Sequence, residues 1–195
     1  MSVYELVLER RTIRKFYPHP VPRELLDKLL DAGRLAPVGG NIQPLEFIAV
    51  DDPAVCARVF AETRWAGYLK NGGPQPGEEP TAYVAILHNL DIRKEVAATD
   101  IGFAAESIIL TALDEGVASC AIGAMNAKGI GETLGVPASR EVVLVIALGY
   151  PAETGVAEVM PGDEVKYWRD EQGLHHVPKR KKAAVAFWNK WGGAE

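Results

Sequence analysis

The chain has 195 residues, 48% of them hydrophobic and 24% charged, with a formal net charge of −5. At roughly 100–200 residues per domain, that length predicts a single domain spanning 1–195 with a real core. The acidic balance argues against general nucleic-acid binding, which needs phosphate neutralisation. Two cysteines, Cys56 and Cys120, are too few for a disulfide framework and lack zinc spacing. The opening MSVYELVLERR lacks the apolar core of a signal peptide, and no uncharged apolar run reaches the ~20 residues of a membrane helix. A soluble, reduced, cytoplasmic protein is expected, with no nucleic-acid or membrane partner.

In chain order, Ser2 and Glu5 stand at capping-box spacing before an apolar stripe of Val3, Leu6 and Val7, which predicts a helix over 2–10. Residues 12–22 read as a loop or extended link. Leu25, Leu26, Leu29 and Leu30 mark a second helix that ends near 33–37. Turn formers follow over 38–44, then a strand over 46–50 and a helix from Pro53 to about Thr63. Residues 71–80, NGGPQPGEEP, read as an exposed loop.

Residues 81–87 (TAYVAIL) predict a buried strand, and apolar positions between 101 and 112 predict a wide-faced central helix over 100–115. An extended segment at 117–123 precedes a short helix over 126–134. VVLVIAL at 142–148 is the strongest strand, apolar on both faces and therefore interior. Beyond residue 152 aliphatics thin out, a basic run occupies 179–182, and a small helix is expected over 183–191. This order predicts an α+β fold around a sheet of four or five strands.

Four segments could carry chemistry. Arg10-Arg11-Thr12-Ile13-Arg14-Lys15 offers guanidinium forks and a hydroxyl, which suit a phosphate monoester; a solvated charged turn is the plainer alternative. The 38–44 loop combines two glycines with the amides of Asn41 and Gln43, which suits the edge of a flat heterocycle or an ordinary turn. Ser119 to Ala124 could present backbone N–H groups; Cys120 within it has apolar neighbours and reads as structural. Lys179-Arg180-Lys181-Lys182 reads as a solvated face or as phosphate ligands. His175 and His176 are adjacent, so on an extended segment they point to opposite sides and make a poor metal pair; no metal is assigned. Phosphate-loop, dinucleotide, nucleophile-elbow and zincin motifs are missing from the sequence.

Taken together, the segments resemble the nitroreductase family. Arg10-Arg11-Thr12-Ile13-Arg14-Lys15-Phe16 resembles its RRSxRxF start. Residues 36–44 followed by Phe47 resemble APSSxNxQPWxF. Asp100-Ile101-Gly102 with residues 115–123 is similar to DxGxAxxNLxLxAxxxGLGSCWIG, and Leu148-Gly149-Tyr150-Pro151 matches LGYP.

The resemblance implies a sandwich with a mostly antiparallel central sheet flanked by helices. It also implies a homodimer in which a C-terminal extension, about 152–195, adds a strand to the partner subunit. FMN is the implied cofactor, bound at the dimer interface. Arg10, Arg11 and Thr12 would hold its phosphate or ribityl chain, and Arg14 would lie near the N1/C2=O edge. Pro37, Val38, Gly39 and Asn41 would come from the other subunit. Ile122 and Gly123 would offer N–H groups to N5 and O4, and Lys179 and Arg180 match late phosphate contacts. The implied chemistry is ping-pong transfer from NAD(P)H to an electron-poor small-molecule acceptor such as a nitroaromatic or quinone. Other flavin reactions on the scaffold, dehalogenation or flavin reduction, flavin binding without turnover, and, independent of the resemblance, a dimeric interaction module whose basic tail binds a polyanion are the remaining readings.

The sequence departs from the pattern at Val38, where Ser is usual, and at Leu45 and Ala121, where Trp is usual. The short 91–99 link leaves no room for a covering helical excursion. The 64–80 segment is therefore the candidate lid, with Trp65 and Tyr68 able to stack on a substrate or simply to pack.

Overall fold

Val145, Ile146, Ala147 and Leu148 are fully buried, because the strand that carries them has a layer packed on each face. In the computed structural model, which describes residues 1–69 and 72–192, this strand runs from Arg140 to Pro151. The described residues form five α-helices: α1 (Val3–Glu9), α2 (Arg23–Arg34), α3 (Pro53–Ala61), α4 (Ala98–Asp114) and α5 (Ala127–Leu134). The strands are β1 (Phe16–Tyr17), β2 (Leu45–Val50), β3 (Ala82–Asn89), β4 (Ala118–Ile122), β5 (Arg140–Pro151), β6 (Gly155–Val159), β7 (Trp168–Arg169) and β8 (His175–Lys179).

The main sheet is five-stranded and antiparallel, in the order β2-β3-β5. The other edge of β5 is shared by β4, paired with 145–149, and β1, paired with 150–151. One apolar layer packs α2 and α4 on the sheet through Leu26, Leu29, Ala105, Ile108 and Ile109. The other packs α3 and α5 through Cys56, Val59 and Ile130. This is the α+β sandwich expected from the sequence, and the predicted helices and strands of residues 2–151 fall where they form.

Local chemistry explains the boundaries. Ser2 and Glu5 close the capping box on α1. Asp52 caps α3 with Pro53 in the first turn, Asn126 caps α5, and left-handed Gly135 ends it. Of the expected stripe on α1, Leu6 alone is buried; Val3 and Val7 are exposed, as are Tyr4 and Leu8.

The tail differs from expectation. Residues 155–179 form a second sheet, β6-β8-β7, in which β6 and β8 are parallel. The helix expected over 183–191 does not form: Lys182–Ala184 is one 3-10 turn, and Phe187, Trp188 and Trp191 are exposed. A short apolar helix gains little without a surface against which to bury its stripe. Among the described residues, no helix is long and apolar enough to cross a membrane.

Candidate functional site

The cationic segment after α1 is drawn against the sheet edge at β4. Ile13 donates its N–H to the Ser119 carbonyl at 3.0 Å, and Thr12 bridges Ser119. The side chains therefore alternate: Ile13 enters the core while Thr12 and Arg14 face away from it. Arg10 pairs with Glu106 of α4 at 3.3 Å. Arg11 turns back to cap α1, donating to the carbonyls of Leu8 and Arg10, as a cation at a helix C-terminus should. Its buried Nε finds no acceptor among the described residues. Burial, and after it the Arg10 charge, lower the Arg11 pKa. Arg10 and Arg11 line a cavity of about 200 Å³ with Ser119, Glu153 and Gly155.

Arg14 is 9% exposed. Its Nη1 lies 3.3 Å from Nε2 of His175, and its guanidinium sits 4.8 Å from the Tyr167 ring centroid. Its backbone N–H goes to Glu153, whose other oxygen accepts from Arg169 at 2.6 Å. Burial first, and then the Arg14 charge, push His175 below the ordinary histidine range. The guanidinium is thus buried against two neutral groups, and the nearby carboxylate is spent on Arg169. A buried charge without a counter-charge is costly, and an anionic ligand edge would relieve it.

The candidate lid reaches this cluster. Tyr68 is exposed, 5.1 Å from Tyr167, and Arg169 donates to the Gly72 carbonyl at 3.4 Å. Glu78 pairs with Lys15 at 3.0 Å and accepts the Phe16 N–H on its carbonyl. Trp65 is packed: its indole N–H donates to Thr63 at 2.8 Å and its ring meets Phe60. Lys70 and Asn71, within this lid, lie outside the described residues.

The other predicted residues lie elsewhere. The 37–41 loop is held at the start of α4, where Gly39 donates to Asp100 at 3.1 Å. Asp100 and Arg10's partner Glu106 are six residues apart, hence about 9 Å along the helix and on different faces. Within one chain the loop and the cationic segment are not brought together. Gly40, Asn41 and Gln43 all have φ near +60°, a conformation uncommon for Gln that marks strain. Pro37, Gly39 and Asn41 are exposed and Val38 is half-buried.

Ile122 is buried at the end of β4, while Gly123 is exposed, with open space where a Cβ would stand. Lys179 ends β8, and Arg180 follows it, both exposed. At strand rise, Lys179 is about 13 Å from His175. The structure does not bring these two cations to Arg10–Arg14. A larger cavity of about 540 Å³, between Pro18, Phe60 and Thr81, holds none of the predicted residues. Its carboxylates are engaged, Asp51 by Arg23 and Glu79 by the Gly77 N–H.

Sequence reasoning missed Glu153, Tyr167, Arg169 and His175. They carry no spacing relation to Arg14, from which they stand 139 or more positions away. The one available signal was the adjacent histidine pair. Their opposite facing is as expected: His175 meets Arg14, and His176 meets Glu158 and Asp170.

Comparison with known proteins bears on the fold and the family. The family model described as "Nitroreductase family" matches residues 7–150. A candidate NADH dehydrogenase/NAD(P)H nitroreductase of Archaeoglobus fulgidus is 28% identical over 156 residues, 76% of this chain and 85% of that protein. An NADH dehydrogenase of Thermus thermophilus is 27% identical, over 83% of this chain and 93% of that protein. A solved structure of an FMN-dependent nitroreductase from Clostridium difficile superposes with a TM-score of 0.67 at 26% identity, covering 95% of this chain and 98% of that one. The chain belongs to the nitroreductase family.

Proposed function

We propose that this protein is an FMN-dependent oxidoreductase that takes electrons from NAD(P)H and passes them to a small electron-poor organic acceptor, working as a homodimer. The observation that carries the reading is the buried Arg14 guanidinium set against neutral partners. FMN supplies hydride acceptance at N5 and, once reduced, negative charge along its N1/C2=O edge. Arg14 is suited to stabilise that charge. Arg10 and Arg11, which line a cavity of about 200 Å³, are suited to the ribityl phosphate. The open space at Gly123 supports assigning the backbone of Ile122 and Gly123 to the flavin ring.

The FMN named in the Clostridium difficile relative and the NADH and NAD(P)H named in the others support the same chemistry. The exposed apolar residues of α1, Val3, Tyr4, Val7 and Leu8, support a second subunit covering that helix. A second subunit would also supply the 37–41 loop that one chain holds apart from Arg14, and would give the apolar 185–191 segment a surface.

The reading is tested by FMN binding and oligomeric state. The wild-type protein is expected to retain FMN through gel filtration at the mass of a dimer. Arg14→Met is expected to weaken FMN binding by about thirtyfold or more, the cost of truncating one partner of a buried charge contact. Equal FMN affinity in Arg14→Met, or a flavin-loaded monomer, contradicts it.

A further inference from the structure

We infer that His175 is a positioning residue for Arg14: as a neutral acceptor delivered by the tail sheet, it fixes the guanidinium without cancelling its charge. This rests on the FMN reading for its consequence but not for its geometry. Arginine carries donors only, so the 3.3 Å contact between Arg14 Nη1 and His175 Nε2 requires Nε2 to accept. The ring must then be neutral with its proton on Nδ1.

The surroundings enforce that state. His175 is 1% exposed, and its charged neighbours are Arg14 from the segment after α1, Glu153 after β5, Arg169 on β7 and His176 beside it on β8. Three of these four are cationic or can become so, and only Glu153 favours an imidazolium. Tyr167 packs its ring 5.2 Å from His175 and 4.8 Å from the Arg14 carbon, so it closes over both partners. The backbone is fixed as well: His175 donates its N–H to the Thr154 carbonyl at 2.9 Å.

The choice of histidine follows from the charge balance. A carboxylate at 175 would orient Arg14 equally well, but it would neutralise the field that an anionic ligand edge needs. A leucine would keep the field and leave the fork free to swing. A buried neutral acceptor does neither. Among the described residues, the Nδ1 that must carry the proton is itself buried without a partner.

The test compares flavin potentials and the histidine tautomer. In His175→Leu the reduced flavin is expected to be held about tenfold less tightly relative to the oxidised form. That lowers the midpoint potential by about 30 mV for a two-electron couple. His175→Gln, whose side-chain carbonyl can accept the same bond, is expected to keep most of the wild-type potential. A potential unmoved in His175→Leu overturns the inference. Should the leucine variant not fold, long-range proton–nitrogen correlation on the flavin-free wild-type protein decides. A neutral ring protonated at Nδ1 at pH 7 is expected, and an imidazolium overturns the inference. A wild-type protein that binds no flavin at all would sink the functional reading instead, and the tautomer measurement would still report on the Arg14 contact.

Discussion

A Cβ at Gly149 would lie 2.8 Å from Cδ1 and 2.9 Å from Cγ of Phe16. The two residues belong to motifs 133 positions apart, the Arg-rich start and the LGYP end of β5. Phe16 is 1% exposed and part of a small core with Ile13 and Ala118. Gly149 is therefore present because a ring must rest on backbone where β1 and β4 meet along β5. That packing sets the direction in which Arg10 to Lys15 leave the sheet.

Gly149→Ala is expected to cost about 1–3 kcal/mol, the range for forcing a methyl group into a filled core. For a chain of this size that is a fall in melting temperature of about 2–4 °C per kcal/mol. A melting curve superimposable on wild type would show that Phe16 can move away freely.

Arg10→Ala should separate binding from folding. Its ion pair with Glu106 is partly exposed on both sides, and such pairs contribute about 0–1 kcal/mol. Unchanged stability with lower FMN occupancy after gel filtration is expected. Full occupancy would remove Arg10 from the phosphate site.

Neither thiol is expected to take part in the chemistry. Burial pushes Cys56 and Cys120 up to about 11, so almost no thiolate exists at neutral pH. Cys120→Ala is expected to leave turnover within about threefold, given the ~1 kcal/mol scale of such a small core change. Native protein should also fail to react with a disulfide reagent until it unfolds. A loss of a hundredfold or more would reinstate Cys120 as a reactive group.

The tail sheet should respond to pH. His176 sits between Glu158 of β6 at 2.9 Å and Asp170 at 3.3 Å, stacked on Trp168. The bond to Glu158 is the main cause that raises the His176 pKa, and His176 in turn helps lower both carboxylates. The raised histidine stabilises the sheet below its unfolded pKa, and that contribution is lost as pH rises through the folded value. The lowered carboxylates stabilise it above their unfolded pKa and lose that contribution as pH falls through their folded values. Amide exchange over β6 to β8 is therefore expected to be slowest between the carboxylate and histidine ranges, and faster at pH 8. Exchange independent of pH, after correction for intrinsic rates, would show that the contact does not hold the sheet.

The pattern of the first 151 residues is legible because apolar periodicity and caps decide it. Leu26 and Leu29 recur at helical spacing, and 142–148 is apolar throughout. The tail is illegible by that signal. Its sheet is held by His176, Glu158 and Asp170 and by the Trp168 stack, which are polar or aromatic contacts with no period. The expected terminal helix failed for a related reason: Phe187, Trp188 and Trp191 promise burial, but one chain offers no surface for it. At the site, the charge run at 10–15 was visible, and His175 and Tyr167 were not, because the topology alone brings them to Arg14. The part attributed to a second subunit, the 37–41 loop, is legible as a motif and stays apart from Arg14 within one chain.

Separated half-reactions on the purified, FMN-loaded protein without oxygen show whether the flavin carries electrons from a nicotinamide to an acceptor. One equivalent of NADH or NADPH is expected to bleach the flavin's visible absorbance before any acceptor is present. A nitroaromatic or quinone added afterwards should restore the colour. A flavin that stays oxidised with both nicotinamides would contradict the account.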